Sequence, residues 1–296
     1  MVLIPARDGR LIEPESYVCY RSTESIEING ILEKEPWQNA KWTRPFIDIE
    51  GDDVRPSPRF ETKAKILWDN DYLYVAAYLE EPDIWGTLTG RDSVIYNDND
   101  FEVFVKPLPR ISSYVEFEFN VLNTPWDLYL DRPYYQGGQA DISWDCKGLK
   151  HAVRIEGTLN WPLDVDRCWT IEIAIPWKGL GKVGVKGAPR PGDQWRMNLS
   201  RVEWERQLIG KYCDNWTWSC QSEINMHIPD FWGFVQFSDI MAGEGEEEFM
   251  EKSYVVKPWW EGFDSTKIPR PPDRSYLKKG KMRAWEEKRL KTSTAK

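Results

Sequence analysis

Tyr114-Val-Glu-Phe-Glu-Phe-Asn-Val121 is the stretch on which the fold turns. Val115, Phe117, Phe119 and Val121 fall on one side of an extended chain, and Glu116, Glu118 and Asn120 on the other, because successive strand residues point to opposite faces. The alternation predicts a strand that seals a core with one face only. Working outward, residues 101–105 (FEVFV) predict the strand before it. Residues 64–68 and 72–79 flank Asp69-Asn70-Asp71, residue types that cap turns and tolerate left-handed backbone, and so predict a hairpin. The second arm is apolar on both faces and should lie centrally. Further strands are expected at 128–130, 151–156, 169–175, 195–202 and 233–237. Short strands, frequent turn signals and almost no helical periodicity predict an all-β chain, an antiparallel, jelly-roll-like β-sandwich over residues 24–238. Residues 1–23 read as a polar lead-in. Residues 239–296 read as a charged, Pro-rich extension with a basic helix over 276–291.

The composition narrows the function. The chain has 17 Trp and 2 His in 296 residues. Tryptophan fills cores, but an exposed indole also stacks on the C–H face of a sugar. A net charge of −9 argues against nucleic acid, whose phosphates need a basic face, and suits a neutral polymer or divalent cations. His151 and His227 leave little for histidine-based catalysis. Five cysteines without a CxxC pair make zinc and redox readings weak. The opening MVLIPARDGRLIEPE holds no apolar run of signal-peptide length, and no stretch approaches a membrane span, so the chain as given reads as intracellular or as missing its export signal.

Sugar recognition needs flat apolar platforms beside planar hydrogen-bonding groups. Trp85 follows Glu80-Glu81-Pro82-Asp83 and should lie on a loop, with Arg91, Asp92, Tyr96 and Asn97 close behind. Trp216 and Trp218, two residues apart, share a side if extended. The expected platform is Trp85 with one of Trp216 or Trp218; the alternative is that the latter two are core. Arg91, Tyr96, Glu102, Glu118 and Asn120 are the expected polar ligands, with Glu116 and Glu172 on the same kind of strand face. Calcium takes six to eight hard oxygen ligands. Asn97, Asp98 and Asp100 in an Asn-Asp-Asn-Asp run are therefore candidate ligands, and Asp164 and Asp166 a second set.

Several segments, in order, resemble the family 9 carbohydrate-binding modules: Ile28-Asn-Gly30 through Trp37, Trp68-Asp-Asn-Asp-Tyr-Leu-Tyr74, Glu81-Pro82, Asn97 to Phe104, Trp169 to Trp177, Asn198 to Arg201, and Trp232-Gly233. The resemblance covers roughly residues 24–238. It implies a jelly-roll-like sandwich that binds the ends of oligosaccharide or polysaccharide chains, carries structural calcium and is not itself catalytic. Two rival readings remain. A jelly-roll glycoside hydrolase would pair Glu102 with Glu116 or Glu118, about 5–5.5 Å apart for retaining chemistry. A haem module would need Met226-His227, whose side chains point opposite ways in an extended chain.

Overall fold

The computed structural model describes residues 2–250 except 109 and 207–212. The helix expected over 276–291 lies outside the described residues. In chain order the strands are β1 (Ile4–Pro5), β2 (Leu11–Ile12), β3 (Ser16–Arg21), β4 (Ile47–Asp48) and β5 (Thr62–Trp68). Then come β6 (Tyr72–Glu80), β7 (Asp100–Lys106), β8 (Tyr114–Asn120), β9 (Pro125–Leu130) and β10 (Ala140–Asp141). The last five are β11 (Lys150–Glu156), β12 (Cys168–Pro176), β13 (Gln194–Trp204), β14 (Cys213–Thr217) and β15 (Gly233–Met241).

Thirteen strands form one hydrogen-bonded path, β10-β9-β8-β7-β13-β15-β3-β5-β6-β12-β11, with β14 and β4 continuing from β13. The path folds back on itself. The Phe119 ring of β8 meets His151 of β11, at opposite limbs of the path, with centroids 5.0 Å apart. Arg201 of β13 reaches across to Thr62 Oγ1 of β5 (3.0 Å) and the Glu80 carbonyl of β6 (2.8 Å). Its charge is met by Glu81 at 2.8 Å and Glu203 at 2.7 Å, all fully or almost fully buried. Stripping one partner from such a buried pair would strand a charge in the core.

The sheet is mixed rather than antiparallel throughout. β3 runs parallel to both neighbours, β15 and β5. It comes from the stretch read as polar lead-in, because Ser-Tyr-Val-Cys-Tyr-Arg lacks the charged–apolar alternation that betrays β8. The boundary expected after Ser238 falls inside β15. The chain beyond it packs back on the sheet: Ala242 is buried, Glu247 N donates to the Tyr20 hydroxyl (2.8 Å), and Met250 N donates to Gln236 (2.8 Å).

The outer face of the second limb, with Leu67, Tyr74, Ala76 and Ala174, is covered by Ile26, Trp37 and Ala40. Glu172 of β12 holds that cover down. Its carboxylate accepts from Asn29 N (2.8 Å), Gly30 N (2.7 Å) and Trp37 Nε1 (2.6 Å), and Lys34 Nζ lies 2.6 Å away. Glu172 thus fixes a turn instead of joining a solvent-facing polar set. Gly30 has φ +81°, and a Cβ there would stand 2.8 Å from Arg154 N, so the turn requires glycine.

Candidate functional site

The registers of four neighbouring strands gather the acids. Asp100 lies opposite Asn120, Glu102 opposite Glu118, and Phe104 opposite Glu116. Glu118 then faces Trp126 on β9, and Glu102 faces Ser200 on β13. One face therefore carries Asp100, Glu102, Glu116, Glu118 and Trp126, while Phe101, Val103, Phe117 and Phe119 seal the core on the other. Phe104, Tyr114, Leu128, Leu130 and Trp232 close the apolar end of the same acidic face.

Two tyrosines rim it, each 46% exposed. The Tyr96 ring lies 6.1 Å from Trp126, and its backbone N donates to Glu118 Oε2 (3.1 Å). The Tyr134 ring lies 4.5 Å from His227. His227 Nε2 is 4.0 Å from Glu116 Oε2, and its Nδ1 is 2.8 Å from the Tyr114 hydroxyl. Trp126 Nε1 is buried without a hydrogen-bond partner.

Burial, reinforced by mutual repulsion, holds the carboxyls of Asp100, Glu116 and Glu118 well above their usual range. Burial pushes Glu102 up to about 7, against a hydrogen bond from Ser200 that favours its charged form. The Tyr134 phenol is pushed up to about 12, by burial first and then by Glu116, Glu118 and Tyr96. Burial drives His227 down to about 3, so its ring is neutral.

The site inferred from sequence is only partly assembled. Tyr96, Glu102 and Glu118 come together. Trp85, Trp216 and Trp218 are 2–3% exposed and form no outward platform. Trp216 meets Phe60 edge-on and lies under the Arg201 guanidinium, and Trp218 meets Tyr17. The two do share a side, but it is the core side, because β14 extends the sheet beside β13. Trp42 and Trp161, at 38% and 52%, are indoles that do reach solvent. Asn120 closes the β8–β9 turn: its amide donates to Leu88 O and Asp98, and its oxygen accepts from Leu122 N and Thr124 N. Arg91 pairs with Asp127 and Asp145. Asp127 alternates with Trp126 and so sits on the opposite face of β9. Glu116, expected on the same polar strand face, lies there too, but the rim residues Trp126, Tyr134 and His227 were not in the expected site. Only the strand registers and the long loops after β9 and β14 bring them there.

The expected calcium loops use their oxygens internally. Asp98 accepts from Thr87 N and Oγ1, Leu88 N and Asn120 Nδ2, at 2.7–2.9 Å. Asp166 accepts from Ile84 N and Thr158 N. Asn97 and Asp164 are exposed. Among the described residues, two acidic groupings have oxygens within 4.8 Å of one another: Asp92, Asp127 and Asp145, which Arg91 already bridges, and Asp100, Glu102 and Glu118. That spacing for Glu102 and Glu118 approaches the retaining-hydrolase range. Both are buried, however, at 5 and 2% exposure, and neither carboxyl is open to a glycosidic oxygen. His227 itself packs against the rings of Phe104, Tyr114 and Tyr134. Two open depressions, of about 580 and 620 Å³, lie elsewhere, near Ile26–His151 and Arg59–Trp218. Among the described residues no helix is long and apolar enough to cross a membrane.

The chain is thus a β-sandwich with a polar face rimmed by aromatic rings. Residues 28–124 match the family described as carbohydrate family 9 binding domain-like, the family whose motifs the sequence resembles. It is a family of binding domains, not catalytic ones. No curated protein sequence matches the chain. Solved structures that match include a Bacteroides uniformis protein provisionally described as carbohydrate-binding, with TM-score 0.60, 15% identity, and coverage of 76% of this chain and 100% of that one. A family 9 carbohydrate-binding module from Caldicellulosiruptor kristjanssonii in complex with cellotriose matches at TM-score 0.52 and 15% identity, over 79% and 100% of the two chains. One from the same organism in complex with glucose matches at 0.52 and 17%, over 75% and 96%. At such identities the structural likeness establishes the sandwich fold.

Proposed function

We propose that this chain binds an oligosaccharide, without cleaving it, over the acidic face, against the rings of Tyr96, Trp126 and Tyr134. The observation that carries the reading is the pair of half-exposed rings, Tyr96 and Tyr134, at the rim of the acidic face. Rings of this kind cover the C–H face of a pyranose. Glucose and cellotriose, held by the two Caldicellulosiruptor modules, are the first probes, followed by a glycan array. Tyr96→Ala and Tyr134→Ala should each weaken binding by about 1–2 kcal/mol, roughly five- to thirtyfold, in calorimetric titration. Their melting curves should stay close to the parent's. Silence of the parent chain across the array would overturn the proposal, and parental affinity in both variants would move the site elsewhere.

A further inference from the structure

Beyond β15 the chain turns at Gly243, where φ is +87° and a Cβ would stand 3.0 Å from the Asn39 side chain. Residues 246–250 then run back over the outer face of β3, β15 and β13. Glu246, Glu248 and Met250 face water while Glu247 and Phe249 are half-buried, the alternation of an extended chain laid on a surface. Two glutamines take its main chain. Gln194 and Gln236 lie opposite each other in the β13–β15 register and are 7 and 0% exposed. Gln236 Oε1 accepts from Met250 N (2.8 Å), and Gln194 Nε2 donates to Met250 O (2.6 Å) and to Gln236 Oε1 (2.9 Å). Gln236 Nε2 donates to Glu248 O (3.2 Å) and to Glu247 Oε1 (3.0 Å). Glu247 N donates to the Tyr20 hydroxyl at 2.8 Å. The Phe249 ring lies 6.0 Å from Phe234, over which the Arg196 guanidinium stacks at 3.5 Å. The Lys41–Glu246 ion pair joins two exposed side chains and so adds little.

We propose that this face is a peptide-binding site, built for an extended segment with an inward Glu and an aromatic ring two residues on, and that residues 246–250 occupy it in cis. Main-chain bonds supply affinity for an extended peptide, and the seats for alternate side chains supply choice. Here the main chain is held at Glu247 N, Glu248 O, Met250 N and Met250 O. The seats are Gln236 for the Glu247 carboxylate and Phe234 for the Phe249 ring. Both glutamines reach out of the sheet, so when the segment lifts, water takes its place on their amides and the face survives empty. The short turn at Gly243 keeps the segment at an effective concentration on the order of millimolar, so in the intact chain it prevails over the same peptide in trans. The site is separate from the acidic face. Ser200, which meets Glu102, and Gln194 lie on one side of β13, about 20 Å apart along the strand. It stands whether or not a sugar binds.

The test uses the full chain and a fluorescent peptide of residues 243–250, capped at both ends. Glu247→Pro with Met250→Pro removes two N–H groups that hold the cis segment and leaves the face itself untouched. By fluorescence anisotropy the peptide should bind this double variant about tenfold or more tightly than it binds the parent, whose site is filled. Adding Gln194→Leu and Gln236→Leu to the double variant should weaken binding about tenfold or more, as should Phe249→Ala in the peptide. A scrambled peptide should not bind. In the parent, hydrogen exchange should be slow at the Glu247 and Met250 amides. The proposal is overturned if the peptide binds neither chain, if both chains bind it equally, or if the glutamine changes or the scrambled order leave binding as it was. Should the glutamine variant fail to fold, the Phe249→Ala peptide decides. Should the proline variant fail to fold, the parent's exchange decides, and fast exchange at both amides refutes the contact.

Discussion

Replacing Glu172 by alanine should be among the most damaging single changes to this fold. The carboxylate is fully buried and receives Asn29 N, Gly30 N and Trp37 Nε1 at 2.6–2.8 Å. Asn29 is exposed and can turn to water, but Gly30 and Trp37 are buried. Two donors are therefore stranded, at about 1–3 kcal/mol each, for a loss of about 4 kcal/mol. That is a large fraction of the roughly 5–15 kcal/mol that holds a typical domain together. Glu172→Gln keeps one acceptor and should lose about half as much. Guanidinium unfolding followed by tryptophan fluorescence reads the difference, provided the slope against denaturant stays constant. A loss below about 1 kcal/mol in the alanine variant would refute the claim that this carboxylate anchors the 29–37 segment.

The buried indoles set a contrasting expectation: Trp216→Ala and Trp218→Ala should cost about 3–5 kcal/mol of stability, read in the same unfolding assay, and a parent-like melt would show that they do not fill the core. Stability should also respond to pH through Glu102. Its folded pKa is about 7, above the usual value near 4.5, so its neutral form favours folding below pH 4.5 and that contribution is lost as pH rises through about 7. In chelator, the parent should lose up to about 3 kcal/mol from this group between pH 4.5 and 8, while Glu102→Gln flattens that part of the profile; parallel profiles would contradict it.

How much of this was legible depends on the reach of the interaction. The alternation of residues 114–121 and the 64–79 hairpin are local, and all three strands formed where the pattern puts them. β3 was missed because its place between β15 and β5 comes from partners far along the chain, not from its own pattern. Tyr96, Glu102 and Glu118 were readable as polar or aromatic residues beside strong strands. Trp126 became their neighbour only through the β8–β9 register, and Tyr134 and His227 only through the folding of long loops over that face.

The sequence by itself determined the strand period, the turn chemistry and the family likeness, because these rest on residues within a few positions of one another. Tertiary structure alone decided which side of the 216–218 stretch is sealed. Trp216 and Trp218 could as well have faced a ligand as a core, since spacing specifies a shared side but not which side. The pairing of β14 with β13 buried them against Phe60, Arg201 and Tyr17. The same long-range pairing turned three acids that are unremarkable in sequence into a cluster sharing 4.8 Å of low-dielectric space, where their charge must be answered by protons or by a cation.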